Sequence, residues 1–221
     1  MVVTFLVDED FGVSAGMLNW QRLGKQRVEA NQILTIIEDL NYLGDLFSYP
    51  YHPDINLQSW IQTITKYYKN LPFCIVIRDV PMALEKISLA EYQSIAKPKK
   101  NHKIIPLSFY RRYINSTDHL INLNYALHPC VRMWFHHPEA LKLYINAHIN
   151  EWIARGYRNT MKIYDCDDNP PRPSWTYDIN IHHNHRAILL AKELTRSEAP
   201  WYQLMHEFTE VGESTEYIWP V

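Results

Sequence analysis

The sequence predicts a mainly α-helical fold in one compact domain, residues 1–221. Three observations predict it. Apolar residues recur at helical spacing in several long stretches, and these stretches begin and end with helix-boundary residues. The third observation is that only 6 of 221 residues are Gly. That is too few for a β-rich fold or a glycine-loop nucleotide fold.

In chain order, residues 3–7 read as a short strand or an extended lead-in. Ser14 is expected to cap a long helix reaching about Asn41, with Leu23, Ala30, Leu34 and Ile37 on its apolar face. Pro50 and Pro53 make residues 44–56 a loop. Residues 57–70 read as a helix burying Trp60, Ile61, Ile64 and Tyr68. The apolar stretch 73–77 fits helix or strand equally. Ser88 to Glu91 has capping-box spacing and opens a short helix. Lys97 to Lys103 is a basic loop, and residues 107–127 are expected to be helical in part. His128-Pro129 starts a helical turn. Pro138 starts a long helix to Arg155, which Gly156 stops. Three prolines make 165–176 a loop, a helix follows from about Ile179 to Thr195, and Pro200 opens another short one.

Hydrophobic residues are 47% and charged residues 21%, which is ordinary globular composition. No run approaches the roughly 18 apolar residues that a membrane span needs. The first ten residues lack a basic n-region and a small-residue cleavage site, so no signal peptide is expected. Cys74, Cys130 and Cys166 are odd in number and far apart. They read as reduced thiols, so an intracellular and first of all cytoplasmic setting is expected, with nuclear or virus-encoded settings also open. A net charge of −2 counts against a nucleic-acid binder basic over its whole surface, but leaves room for a local basic face.

The most unusual stretch is Arg22 to Glu29. On a helix, Arg22, Lys25, Gln26 and Glu29 share one face at i, i+3, i+4 and i+7. Cations in a row suit phosphate, and a carboxylate among them can serve as acid or base. The same pattern also suits the solvated face of an amphipathic helix. Gly24 in the middle of that helix costs about 1 kcal/mol relative to Ala, which points to close packing there. His182, His183 and His185 with Arg186 form a dense cluster, and His136-His137 a second. These residues fit a phosphate-facing patch or structural histidines better than a metal site, because no Cys or acidic ligand completes a set. No metal and no cofactor is expected. Glu151 reads as a surface or Arg-paired carboxylate before a catalytic one. Trp134, Trp152 and Trp201 read as core before base-stacking platforms.

Three blocks carry a resemblance. The first runs from Asp10-Phe11 through Ser14-Ala15 and Leu18 to the run Arg22–Leu34. The second holds His128-Pro129, Val131-Arg132-Met133-Trp134, Ala140-Leu141, Tyr144 and Glu151-Trp152 with Arg155-Gly156-Tyr157. The third holds His182, His185-Arg186 and Leu189-Leu190, then Trp201-Tyr202 and Tyr217 with Trp219-Pro220. In this order the chain resembles the pyrimidine-dimer DNA glycosylases of the phage endonuclease V type. Residues 39–124 look like a large helical insertion that compact members lack.

The resemblance implies a compact helical fold and a glycosylase with abasic-site lyase activity on damaged or modified pyrimidines in duplex DNA. It implies that the N-terminal amine, carried by Val2 once Met1 is removed, forms a Schiff base with the sugar C1′. Glu29 is the candidate acid/base group. Arg22, Lys25, Gln26, Arg27, His182, His185 and Arg186 are candidate DNA contacts, and a monomer is favoured. A non-catalytic nucleic-acid-binding protein on the same scaffold is the alternative.

Overall fold

The computed structural model describes residues 4–69, 74–75, 84–86, 110–114, 117–121, 123, 125–194 and 216–220. The chain divides into two compact units, residues 1–35 with 128–221, and residues 36–127. The mainly helical prediction holds.

In the first unit, α1 spans Phe11–Gly16 and is capped by Asp10, whose carboxylate accepts from Gly12 N (2.7 Å) and Val13 N (2.9 Å). At and just beyond its C-terminus the Arg155 guanidinium donates to Gly16 O (2.8 Å) and Leu18 O (2.6 Å). Arg155 also pairs with Glu151 at 2.6 Å, so Glu151 is an Arg-paired carboxylate. Helix α2, Trp20–Leu46, then begins behind Asn19, whose side chain accepts from Arg22 N (2.8 Å). Ser14 is therefore not the cap of the long helix. It lies inside α1, and its hydroxyl accepts from Val7 N (3.0 Å).

Helix α4 spans Pro129–Trp134, with α3 placed in the second unit below. Its N-cap is His128, whose Nδ1 accepts from Cys130 N (3.2 Å). Helix α5, Pro138–Ala154, opens on proline and closes at Gly156, whose φ of +82° is the left-handed stop expected of it. A 3-10 turn at Ser174–Tyr177 leads to α6, Ile179–Leu194. Leu23, Ala30, Ile33 and Leu34 of α2, Leu141, Tyr144, Ile145 and Ile149 of α5, and Ile181, Ile188 and Leu189 of α6 are all buried, with Trp134 beside them. Trp134 stacks edge-on to Phe11 and Trp175, which settles it as core.

His148 lies fully buried within this core. Its Nδ1–H donates to Tyr144 O (2.8 Å), and its Nε2 has no partner among the described residues. Burial pushes its pKa down to about 4. The folded state therefore holds this ring neutral where the unfolded chain, with a pKa near 6.5, would protonate it. Stability is full above pH ~6.5 and falls as the pH drops toward 4, by up to about 1.4 kcal/mol per unit and on the order of 3 kcal/mol in total. Urea unfolding at pH 7 and pH 4.5 should show this loss in the wild type and a much flatter dependence in His148→Leu. An unchanged dependence in the variant would contradict it.

The second unit takes the last turns of α2 and helix α3, Leu57–Lys69, capped by Asn56, whose Oδ1 accepts from Ser59 N (3.1 Å). Trp60, Ile61, Ile64 and Tyr68 form its buried face, as the periodicity predicts. A Cβ on Gly44 would stand 2.7 Å from Trp60, so only glycine fits there. Four antiparallel strands follow in the order β1 (Cys74–Ile75), β2 (Leu84–Lys86), β3 (Tyr110–Ile114) and β4 (Thr117–Ile121).

The expected helix in residues 107–127 is thus corrected to a strand pair, and the segment 39–124 is part helix and part sheet. Tyr110, Tyr113 and Ile114 facing Ile121, Asp118 and Thr117 are the aromatic and β-branched types that suit a ladder. The short helices expected at Ser88 and Pro200, and the basic loop at 97–103, lie outside the described residues. No helix among the described residues is long and apolar enough to cross a membrane.

Candidate active site

Residues 4–8 belong to no helix or strand. Their buried backbone groups must find partners elsewhere, and side chains from several helices supply them. Phe5 N–H donates to Gln26 Oε1 (2.7 Å), Leu6 N–H to His185 Nδ1 (3.0 Å) and Val7 N–H to Ser14 Oγ (3.0 Å). His185 Nδ1 also lies 3.2 Å from Leu6 O, but the shorter contact makes it an acceptor. Arg186 Nε donates to Val7 O (2.6 Å), with its NH2 group 3.6 Å from the Asp8 carboxylate. The Tyr144 hydroxyl lies 2.7 Å from Phe5 O and 2.8 Å from Gln26 Oε1, one proton serving two acceptors. Trp134 Nε1 donates to Thr4 Oγ1 (2.9 Å). Each such bond contributes about 1 kcal/mol net, and an orphaned partner would cost 1–3 kcal/mol. Together they fix residues 4–8 in one conformation.

The C-terminal tail closes over the same place. Asn184 holds it from α6, donating to Glu216 O (2.8 Å) and accepting from Ile218 N (3.1 Å). Tyr217 then packs against Phe5 (centroids 5.9 Å apart) and Trp219, and Trp219 meets His128 edge-on at 5.8 Å. Burial pushes the Tyr217 hydroxyl up to about 12, with Arg22 opposing the rise and Cys130 and Glu29 reinforcing it. Burial likewise raises Cys130 to about 12, against hydrogen bonds from Thr4, with the charge of Glu29 adding to the rise. Tyr144 is raised by burial first, then by Cys130 and Glu29. The charge of Glu29 therefore reaches Cys130, Tyr144 and Tyr217, and Cys130 also takes the hydrogen bonds of Thr4. Its side chain is only 11% exposed, and its ion-pair partner Lys25, at 3.6 Å, is 59% exposed.

The residues singled out from sequence fall into three groups. Arg22 and Glu29 both act electrostatically on Tyr217, and Lys25 pairs with Glu29. Gln26, His185 and Arg186 are buried beneath it and spend their polar atoms on its backbone. Arg27 lies elsewhere, its guanidinium 3.9 Å over the Trp152 ring. His182 is buried with its Nε2–H donated to Thr176 O (2.9 Å). His182 and His185 thus serve different partners and do not converge on one ligand. His137 Nδ1 contacts Pro171 O. Val2 and Trp201 lie outside the described residues. Tyr144, Ser14, Asn184 and Tyr217 are site residues that the sequence reading did not pick. The usable signal was the buried aromatic with a polar tip, which needs a hydrogen-bond partner.

Chemically, the arrangement is a segment, residues 4–8, held by side-chain hydrogen bonds, together with the shielded carboxylate of Glu29 and its partner Lys25. This defines a helical scaffold built to present its own N-terminal segment. A family model for pyrimidine dimer DNA glycosylases matches residues 2–165. The chain belongs to the pyrimidine dimer DNA glycosylase family, whose members act on DNA carrying pyrimidine dimers. Comparison with curated proteins and with solved structures finds no match.

Proposed function

We propose that this chain is a DNA glycosylase and abasic-site lyase whose nucleophile is the amine of Val2, freed by removal of Met1. The observation that carries this is the side-chain bed that holds residues 4–8, with Thr4 and the charge of Glu29 both acting on the Cys130 thiol. One residue, Val3, separates Val2 from Thr4, so their Cα atoms are at most about 7.6 Å apart. Chain connectivity thus tethers the amine to the held residue Thr4. An α-amine has a pKa near 7.7–8, so a useful fraction is unprotonated at neutral pH.

The substrate nucleotide is turned out of the duplex, because C1′ is shielded within the stack. Arg22 and Lys25 hold flanking phosphates. The amine nitrogen forms a bond to C1′ while the glycosidic C1′–N bond breaks, and the base leaves with that electron pair and takes a proton. The amine loses a proton, the C1′–O4′ bond opens to an iminium, and O4′ is protonated. Loss of a C2′ proton then expels the 3′ phosphate. Glu29 is the group that carries protons between these atoms. Gln26, His185 and Arg186 act through the backbone they hold and not by touching DNA. Residues 39–124 are an insertion in the one catalytic domain.

Borohydride reduction in the presence of an abasic duplex tests this. The proposal predicts a covalent protein–DNA product. Salt-dependent binding without any product would favour the non-catalytic DNA-binding alternative.

A further inference from the structure

Helix α2 has two polar edges. At about 100° per residue, Arg22 and Glu29 fall on one edge, facing Tyr217. Gly24 and Arg27 fall on the other, and Gln21, Lys25 and Val28 stand exposed between them. The second edge is packed against residues 156–164. A Cβ on Gly24 would stand 3.1 Å from Trp152, which explains the glycine there. Arg27 stacks on Trp152 and donates to Asn159 Oδ1 (3.2 Å), and Trp152 Nε1 donates to Arg158 O (3.1 Å). The Asn159 side chain closes the loop on Met161, donating to its carbonyl (2.8 Å) and accepting from its N–H (3.1 Å). Tyr164 finishes the loop on Asn31 and Asn146.

This loop has a fixed shape with no part in the core, and its outer side exposes Tyr157, Arg158, Lys162 and Ile163. Neither Arg158 nor Lys162 is in an ion pair among the described residues. Beneath them Arg27 is buried, with Nε unpartnered. Burial lowers its pKa, and no carboxylate offsets the effect. A buried cation without a countercharge is costly. Three positive charges without a carboxylate partner among the described residues therefore meet at one loop, Arg27 over the Trp152 ring and Lys162 over the Tyr164 ring, in a chain whose net charge is −2. The acids Asp165, Asp167 and Asp168 follow only beyond Tyr164.

We propose that the loop 157–163 is a second DNA-backbone contact, gripping duplex phosphates on the flank of α2 opposite Glu29. The inference rests on DNA being the substrate. A helix with its side chains is about 10 Å across. That is about three base-pair steps at 3.4 Å, so a duplex lying over the exposed face of α2 meets both edges. The bound phosphates supply the countercharge that Arg27 lacks, through the field of the loop above it.

The test is fluorescence anisotropy of the full chain with a lesion-free duplex across a salt titration. Both loop cations are exposed, so the double variant Arg158→Gln/Lys162→Gln keeps its core contacts. Two lost phosphate contacts should make the slope of log K against log salt shallower by about 1.8, and lower affinity on the order of tenfold near 0.1 M salt. An unchanged slope and affinity would overturn the proposal. So would an equal change from Lys66→Gln on α3, because that would be an effect of net charge alone. A wild type that binds no duplex overturns the DNA reading together with this surface. Intact salt-dependent binding without covalent trapping overturns only the catalytic reading.

Discussion

Acetylating the N-terminal amine is expected to abolish covalent trapping on abasic DNA while leaving duplex binding in place. An acetylated amine has no lone pair free to attack C1′, so the effect is total and not graded. In the proposal, binding rests on other groups, the exposed cations Lys25, Arg158 and Lys162 and the half-buried Arg22. The same result should follow from a bulky residue at position 2, which keeps Met1 in place and lengthens the chain beyond the bed that holds residues 4–8. Trapping assayed by gel shift after borohydride, with anisotropy for affinity, separates the two quantities. Trapping by the acetylated chain would transfer the nucleophile to a lysine, with Lys25, the ion-pair partner of Glu29, first in line.

Replacing Glu29 with Gln should slow base release at least about 100-fold in single turnover, the low end of what a positioned acid or base contributes. Stability should scarcely change. The carboxylate pairs with the mostly exposed Lys25 at 3.6 Å, and such a pair is worth about 0–1 kcal/mol. A large kinetic loss with a nearly unchanged unfolding midpoint is therefore the signature of chemistry. Base release within about threefold of wild type, small beside that 100-fold expectation, would remove Glu29 from the mechanism.

The helices were legible wherever periodicity and boundary residues agreed. Pro138 and Gly156 bracket α5 as expected, and the apolar face of α3 is the one predicted. Ser14 misled because two capping residues compete nearby. Asp10 sits four residues earlier and Asn19 five later, and tertiary demand from Val7 takes the Ser14 hydroxyl. The strands β3 and β4 were missed because apolar residues at 107–127 fit a helical spacing as well as an alternating one.

The site was legible as a set of residues and not as a set of roles. Gln26, His185 and Arg186 look like a polar surface face in sequence. Nothing local to α2 or α6 shows that a segment 20 or 180 positions away will need hydrogen bonds. Arg22, Lys25 and Glu29 were readable because their i, i+3 and i+7 spacing is a property of one helix.

The most direct measurement is the location of the reduced adduct. Abasic duplex is trapped with borohydride, the DNA is digested, and the modified peptide is sequenced by mass spectrometry. The account predicts one adduct on the α-amine of Val2, in a chain that has lost Met1. An adduct on any lysine side chain, or on a retained Met1, would contradict it.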